Sequence, residues 1–276
     1  MGSDARSLWD ADFGADEIDA LNAAFDESAV WESTLQAADA FWTASGRTRN
    51  PLDEDPLWAW HLLVLSVGNF KRQAPITLPR LGDRGSRHMD SRPEQVEVPV
   101  REDKTILLKV DDPETWIALC KEVRGVSVAT ASTLLSALWP GEHVIIDIRD
   151  INAARGLDYA DAATNKLVKA GGRQGDPVSW TAYQWLRPRV LAKADDTGRQ
   201  PVDVERALFI LADRAGRAQV RDFMERYGLT KKRDVPRDLP WVGEHGYEFF
   251  LRAEMAAARS EYRASQSSSS SASDQV

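Results

Sequence analysis

The stretch that most constrains this chain runs over residues 112–151, DPETWIALCKEVRGVSVATASTLLSALWPGEHVIIDIRDI. It opens with Asp112-Pro113, an N-cap followed by proline at the first helical position, where a missing N–H costs nothing. Apolar residues at helical spacing predict one helix over 114–123 and a second over 127–138. Only Arg124-Gly125-Val126-Ser127 stands at their junction, so the two helices are joined tightly. Pro140-Gly141 breaks the second helix, and the apolar run Val144-Ile145-Ile146 ends in one carboxylate, Asp147. Two joined helices and a buried approach to an aspartate are the part of the chain that argues for a particular chemistry.

The turn has a physical use. N–H groups at the start of the second helix lack intrahelical acceptors, and the helix dipole adds positive potential there. A phosphate suits such a place without any basic side chain. Gly125, Val126 and Ser127 are therefore candidate phosphate contacts, with Ser127 also able to cap the helix through its hydroxyl. Asp147 precedes the segment IRDINAA and stands where a helix N-cap would, a role that does not exclude catalysis.

The order Val123-Arg124-Gly125-Val126-Ser127-Val128-Ala129-Thr130-Ala131, then an apolar helix, then Val144-Ile145-Ile146-Asp147, resembles the helix-hairpin-helix DNA glycosylase superfamily. That family carries a Leu-Pro-Gly-Val-Gly-x-Lys-Thr-Ala type hairpin and then a catalytic aspartate in a Val-Asp-Thr-His-Val type segment. Here 18 residues separate Ala129, in the family's lysine slot, from Asp147. The resemblance implies a monofunctional DNA N-glycosylase that excises a damaged or modified base, with Asp147 as its catalytic carboxylate. Alanine at 129 implies no lyase action through a lysine. No cofactor is implied, since cluster-binding cysteines do not follow. Ser127 replaces the hairpin's second glycine, Ile148-Arg149 replaces the threonine-histidine pair, and Gly68-Asn69 lies where a wedge glutamine is expected.

The partner so implied is duplex DNA with an extruded base. Arg149, Lys71, Arg72, Arg84 and Arg87 would join the hairpin in holding phosphates, and Trp60, Asn69, Phe70, Tyr183 and Trp185 would line the base pocket. Each pocket candidate also has a plainer reading as a core aromatic or a capping polar group. The alternative function is a non-catalytic DNA-binding protein that keeps the fold. A glycosylase-fold enzyme of DNA modification or defence, and a helical protein-interaction domain with a chance hairpin, are further readings.

Charge bears on the choice. The net charge is −8, but residues 1–60 hold 13 acids and 3 bases, a net of −10, so the other 216 residues carry +2. Six bases (Lys71, Arg72, Arg80, Arg84, Arg87, Arg92) face only Asp83 and Asp90 in the same stretch. A polyanion contacts a patch, not the mean charge. One cysteine, Cys120, excludes a disulfide framework and a four-cysteine metal or iron–sulfur site, and reads as an inert thiol on an apolar helix. His61, His88, His143 and His245 show no metal-ligand spacing. No apolar run reaches membrane length and the N-terminus is no signal peptide, so a soluble cytoplasmic protein is expected; the sequence does not tell its oligomeric state.

The expected fold is mainly α: a two-lobed helical bundle with the helix-hairpin-helix motif and one small β-hairpin. Residues 1–50 read as an acidic helical region whose acids solvate its helices. Residues 51–230 read as the glycosylase-like core with the motif at 112–138, residues 231–265 as a C-terminal helix, and 266–276 as a disordered serine-rich tail. Within the core, LWAWHLLVLSVGNFKRQ is apolar almost all round and predicts a central helix with His61 buried in it. Extended pieces at 95–100 and 105–110 predict a hairpin whose loop carries the basic cluster. Residues 158–170 and 180–194 predict helices, and Gly216 separates two more at 202–214 and 219–227.

Overall fold

The computed structural model describes residues 9, 12–23, 28–45, 56–72, 93–123, 126–157, 178–236 and 247–273. Among them the protein is mainly helical, with nine α-helices and one two-stranded antiparallel sheet. In chain order these are α1 (Ala15–Asn22), α2 (Ser28–Ser45), α3 (Pro56–Arg72), β1 (Gln95–Arg101), β2 (Lys104–Lys109), α4 (Pro113–Glu122), α5 (Val128–Leu138), α6 (Ile148–Leu157), α7 (Trp180–Thr197), α8 (Pro201–Arg226) and α9 (Tyr247–Ser273). A single 3-10 turn lies at Lys232–Asp234. The expected helix over 158–170 lies outside the described residues. The chain divides into two compact units, residues 26–145 and residues 1–25 with 146–276. The boundary thus falls just before Asp147, and the acidic region is divided between the units.

In the unit 26–145, α2 packs along α3 and both meet α5. Large aromatic rings fill this core. Phe41 lies 5.5 Å from Trp60, and Trp42 meets Trp139 edge-on at 5.7 Å. Their polar edges are satisfied: Trp42 Nε1 donates to the Leu138 carbonyl at 3.2 Å and Trp139 Nε1 to the Pro93 carbonyl at 2.8 Å. Such N–H partners are what let an indole be fully buried. Ser66 donates to Thr34 across the α2–α3 seam. The helix α3 is less enclosed than its sequence suggests. Its face carrying Ala59, Trp60, Leu62, Leu63, Ser66 and Val67 is buried, whereas His61 and Leu65 are exposed, so His61 is no core histidine.

The hairpin forms where expected, with Val96 opposite Leu108 and Val98 opposite Ile106. Val96, Val98 and Leu108 turn inward. Its turn, however, is only Glu102-Asp103. The basic cluster therefore precedes β1 in the chain and does not sit in the hairpin loop. Thr115 ties this hairpin to α4, accepting from the Lys109 N–H and donating back to the Lys109 carbonyl. One hydroxyl thereby sets where the helix-hairpin-helix motif begins. Cys120 on α4 is half-buried, and burial raises its thiol pKa, which disfavours the reactive thiolate.

In the other unit, α8 packs against α1, α6, α7 and α9. It runs unbroken through Gly216, where an added Cβ would meet open space. Packing on both sides of that glycine outweighs its propensity cost of about 1 kcal/mol. Gly198 (φ 65°) and Gly228 (φ 62°) end α7 and α8 in left-handed conformation, and the next N–H groups, Arg199 and Leu229, close back onto Ala194 and Met224 carbonyls. The acids of α1 do more than solvate it. Asp19 takes a two-pronged contact from Arg199 at 2.6 and 2.7 Å, and Glu17 pairs with Arg259 at 2.9 Å while accepting the Gly14 N–H. Arg214 joins α8 to α9 by reaching both Glu254 and Glu261, which raises its pKa above the ordinary arginine value. Finally, α9 continues through the serine run to Ser273. The expected tail at 266–276 is thus helical over most of its length; Ser267 helps by donating to the Arg263 and Ala264 carbonyls.

Candidate functional site

The motif folds as its spacing demands. Asp112 caps α4 by accepting the Glu114 N–H at 2.9 Å. After α4 the Val126 N–H donates to the Val123 carbonyl at 3.2 Å, and Val126 itself is buried. Ser127 is extended (φ −90°, ψ 172°) and caps α5, its hydroxyl accepting from the Thr130 N–H at 3.4 Å. Gly125 lies outside the described residues. These bonds correct one expectation: the Val126 N–H is engaged within the turn and does not face a phosphate. The groups that helix geometry leaves open are the next three, the N–H groups of Ser127 at the N-cap and of Val128 and Ala129 in the first turn of α5. Nearby, Lys104 pairs with Glu122, and that hydrogen bond holds the Glu122 carboxyl below its usual pKa.

Val144, Ile145 and Ile146 are buried, as an approach to a fixed carboxylate requires. Asp147 follows, half-buried, at the N-terminus of α6. Its Oδ1 accepts the Arg149 N–H at 2.9 Å, while the Asp147 N–H donates to Asp150 Oδ2 at 2.9 Å. This is a reciprocal capping arrangement with aspartate in the usual glutamate place. The backbone on both sides of Asp147 is therefore held, so the carboxylate is rigidly presented. Arg149 is exposed, its guanidinium lying 4.5 Å over the Phe209 ring. The charge sits two residues after Asp147 and is braced by an α8 aromatic.

The pocket candidates do not share one environment. Trp60 is 1% exposed and packed on Phe41, which makes it a core residue of the unit 26–145. Tyr183 is 2% exposed and stacked on Trp180 at 5.6 Å in the other unit. Trp185, one position beyond the next on α7, is half-buried, and its ring carries two guanidiniums, Arg189 at 4.5 Å and Arg155 at 5.4 Å. Asn69, Phe70, Lys71 and Arg72 belong to the last turn of α3, with side chains outside the described residues; Arg84 and Arg87 lie outside them altogether. Arg155 and Arg189 escaped the sequence reading because arginine in an amphipathic helix normally marks a solvated face. Burial of Arg155 to 4% exposure is a tertiary fact with no local signature.

Among the described residues no group of three His, Cys, Asp or Glu side chains is placed to hold a metal ion, and no helix is long and apolar enough to cross a membrane. No family model, characterised protein or solved structure matches the chain.

Proposed function

We propose that this chain is a monofunctional DNA N-glycosylase, excising a damaged or modified base from duplex DNA with Asp147 as its catalytic carboxylate. The observation that carries the reading is Asp147 itself, whose half-buried carboxylate accepts the Arg149 N–H while its own N–H donates to Asp150, at the end of a buried apolar run. Breaking the C1′–N bond sends its electron pair to the leaving base and builds positive charge on the sugar. A preorganised carboxylate stabilises that charge without reorganising. It also orients the water whose oxygen bonds C1′, with the water's proton passing to the carboxylate or solvent. Ala129 offers no amine for a Schiff base at the motif's lysine position. The Ser127 hydroxyl, the first N–H groups of α5 and Arg149 supply phosphate contacts that are blind to sequence.

A second reading, a DNA-binding protein without catalysis, is favoured by one observation. Asp147 Oδ1 is committed to the Arg149 N–H, a role a purely structural N-cap would fill alone. Duplexes carrying a panel of damaged and modified bases separate the two. Wild type is expected to generate abasic sites in at least one duplex and Asp147→Asn in none, with equal DNA affinity. Should no duplex yield abasic sites above that variant, excision is refuted and binding remains. Affinity that does not fall with added salt refutes binding as well, because phosphate contacts release counterions.

A further inference from the structure

Residues 226–233, RYGLTKKR, hold four bases and no acid in a chain whose net charge is −8. They stand at the end of α8. Arg226 is engaged by Asp222, one turn back, at 3.0 Å. The other three, Lys231, Lys232 and Arg233, are exposed. Lys231 and Lys232 meet no carboxylate among the described residues, and Arg233 stands 3.9 Å from Asp234, a loose and exposed pair of little energy. Basic residues after a helix commonly serve its unpaired carbonyls. Here the backbone already does so: the Tyr227, Gly228 and Leu229 N–H groups donate to the Phe223, Glu225 and Met224 carbonyls at 3.1, 3.3 and 2.8 Å. The basic run is also wound in place. The Asp234 and Val235 N–H groups donate back to the Lys231 and Lys232 carbonyls and close the 3-10 turn.

An aromatic pair lies at the same end of the helix. Tyr227 is 62% exposed, and its ring lies 4.5 Å from that of Phe223, one turn back on α8. The ring is thus braced by a neighbour while most of it meets solvent. Four residues separate Tyr227 from Lys231, a reach of at most about 14 Å. We propose that this end of α8 is a contact site for single-stranded nucleic acid, with Tyr227 stacking a base and Lys231, Lys232 and Arg233 holding the adjoining phosphates. A braced ring beside unneutralised bases suits a strand whose bases are free to stack outward. A duplex offers the same phosphates but keeps its base faces inside, and has no use for the tyrosine. Arg149 lies over Phe209 on the same helix, 18 residues before Tyr227 and about 27 Å away along the axis. The site is therefore separate from the surroundings of Asp147 and stands whether or not that carboxylate is catalytic.

Fluorescence anisotropy of a labelled oligothymidylate with the full chain tests it over a salt series, beside the duplex of that strand with oligodeoxyadenylate. Wild type is expected to bind the strand with an affinity that falls as salt rises. Tyr227→Ala weakens strand binding about 5- to 100-fold, leaves the salt slope and leaves duplex binding unchanged, whereas Tyr227→Phe keeps wild-type affinity. Lys231→Gln combined with Lys232→Gln lowers the slope by about 1.4, the share of two phosphates. A strand of abasic linkers should bind wild type as weakly as oligothymidylate binds Tyr227→Ala. All these variants alter exposed side chains and should keep the wild-type Tm. Asp147→Asn should keep strand binding, so failure of excision and failure of this site are read separately. The proposal is overturned if wild type does not bind the strand, or if Tyr227→Ala and the double lysine variant bind it as wild type does. Loss through the lysines alone reduces the site to a charge contact for any polyanion, a polyglutamate peptide included, and overturns the single-strand assignment equally.

Discussion

The two compact units bury different kinds of polar groups. Among the described residues of 26–145 the buried polar side chains are Thr34, Ser66, Thr115, Ser132, Thr133, Ser136 and His143, hydroxyls and one imidazole. In the other unit they are Glu17, Asp150, Arg155, Lys193, Glu205 and Gln219, nearly all charged. A hydroxyl is satisfied locally; Ser132 and Thr133 both donate to the Ala129 carbonyl of their own helix. A buried charge needs a partner from elsewhere, and its energy depends on that partner. The first unit is therefore built as a stable support for the hairpin. The second encloses charged groups such as Glu17, whose pairing with Arg259 joins segments far apart in the chain.

The comparison breaks most easily in the apolar unit. Trp42→Ala removes a ring packed on Trp139 together with its hydrogen bond to Leu138, and should cost about 3–5 kcal/mol in urea unfolding. A loss below about 1 kcal/mol would show that this core is not close-packed. A pair of equally buried residues sharpens the contrast. Asp150→Ala leaves the Asp147 N–H without its acceptor and should cost about 1–3 kcal/mol. Thr133→Val should cost less than about 1 kcal/mol, because Ser132 still serves the Ala129 carbonyl. Equal losses would erase the distinction between the units. The smallest effect belongs to the α8–α9 bridge. Its hydrogen bond from Arg214 lowers the Glu261 pKa below the ordinary 4.5. That contribution is fully present above pH 4.5 and is lost as pH falls through the depressed value. Glu261 is largely exposed, so Glu261→Gln should lower stability by only about 0.2–1 kcal/mol at neutral pH. The difference from wild type should close in acid; one that widens there would reverse the sign.

Local chemistry was legible and long-range chemistry was not. Asp112-Pro113, Ser127 and the alternating residues on either side of Glu102-Asp103 announce their caps and strands because each signal acts within a few residues. Gly216 misled because packing of α8 overrides local propensity, and the serine run misled because α9 extends through it. The placement of α1 depends on Asp19 reaching Arg199 across 180 residues, which no window along the chain contains. For the site, the carboxylate at 147 and the cap at 127 could be read directly. The engagement of the Val126 N–H and the burial of Arg155 could not, since both depend on how the backbone closes and what packs above it.

The claim at the centre of this account is that the Asp147 carboxylate does chemistry beyond capping α6. Asparagine caps a helix about as well as aspartate, so Asp147→Asn removes the charge and keeps the fold. Single-turnover base release from a duplex that wild type processes is the direct measurement. The account predicts a rate at least about 10²-fold lower for Asp147→Asn, with Tm and DNA affinity unchanged. Equal rates for the two proteins would contradict it.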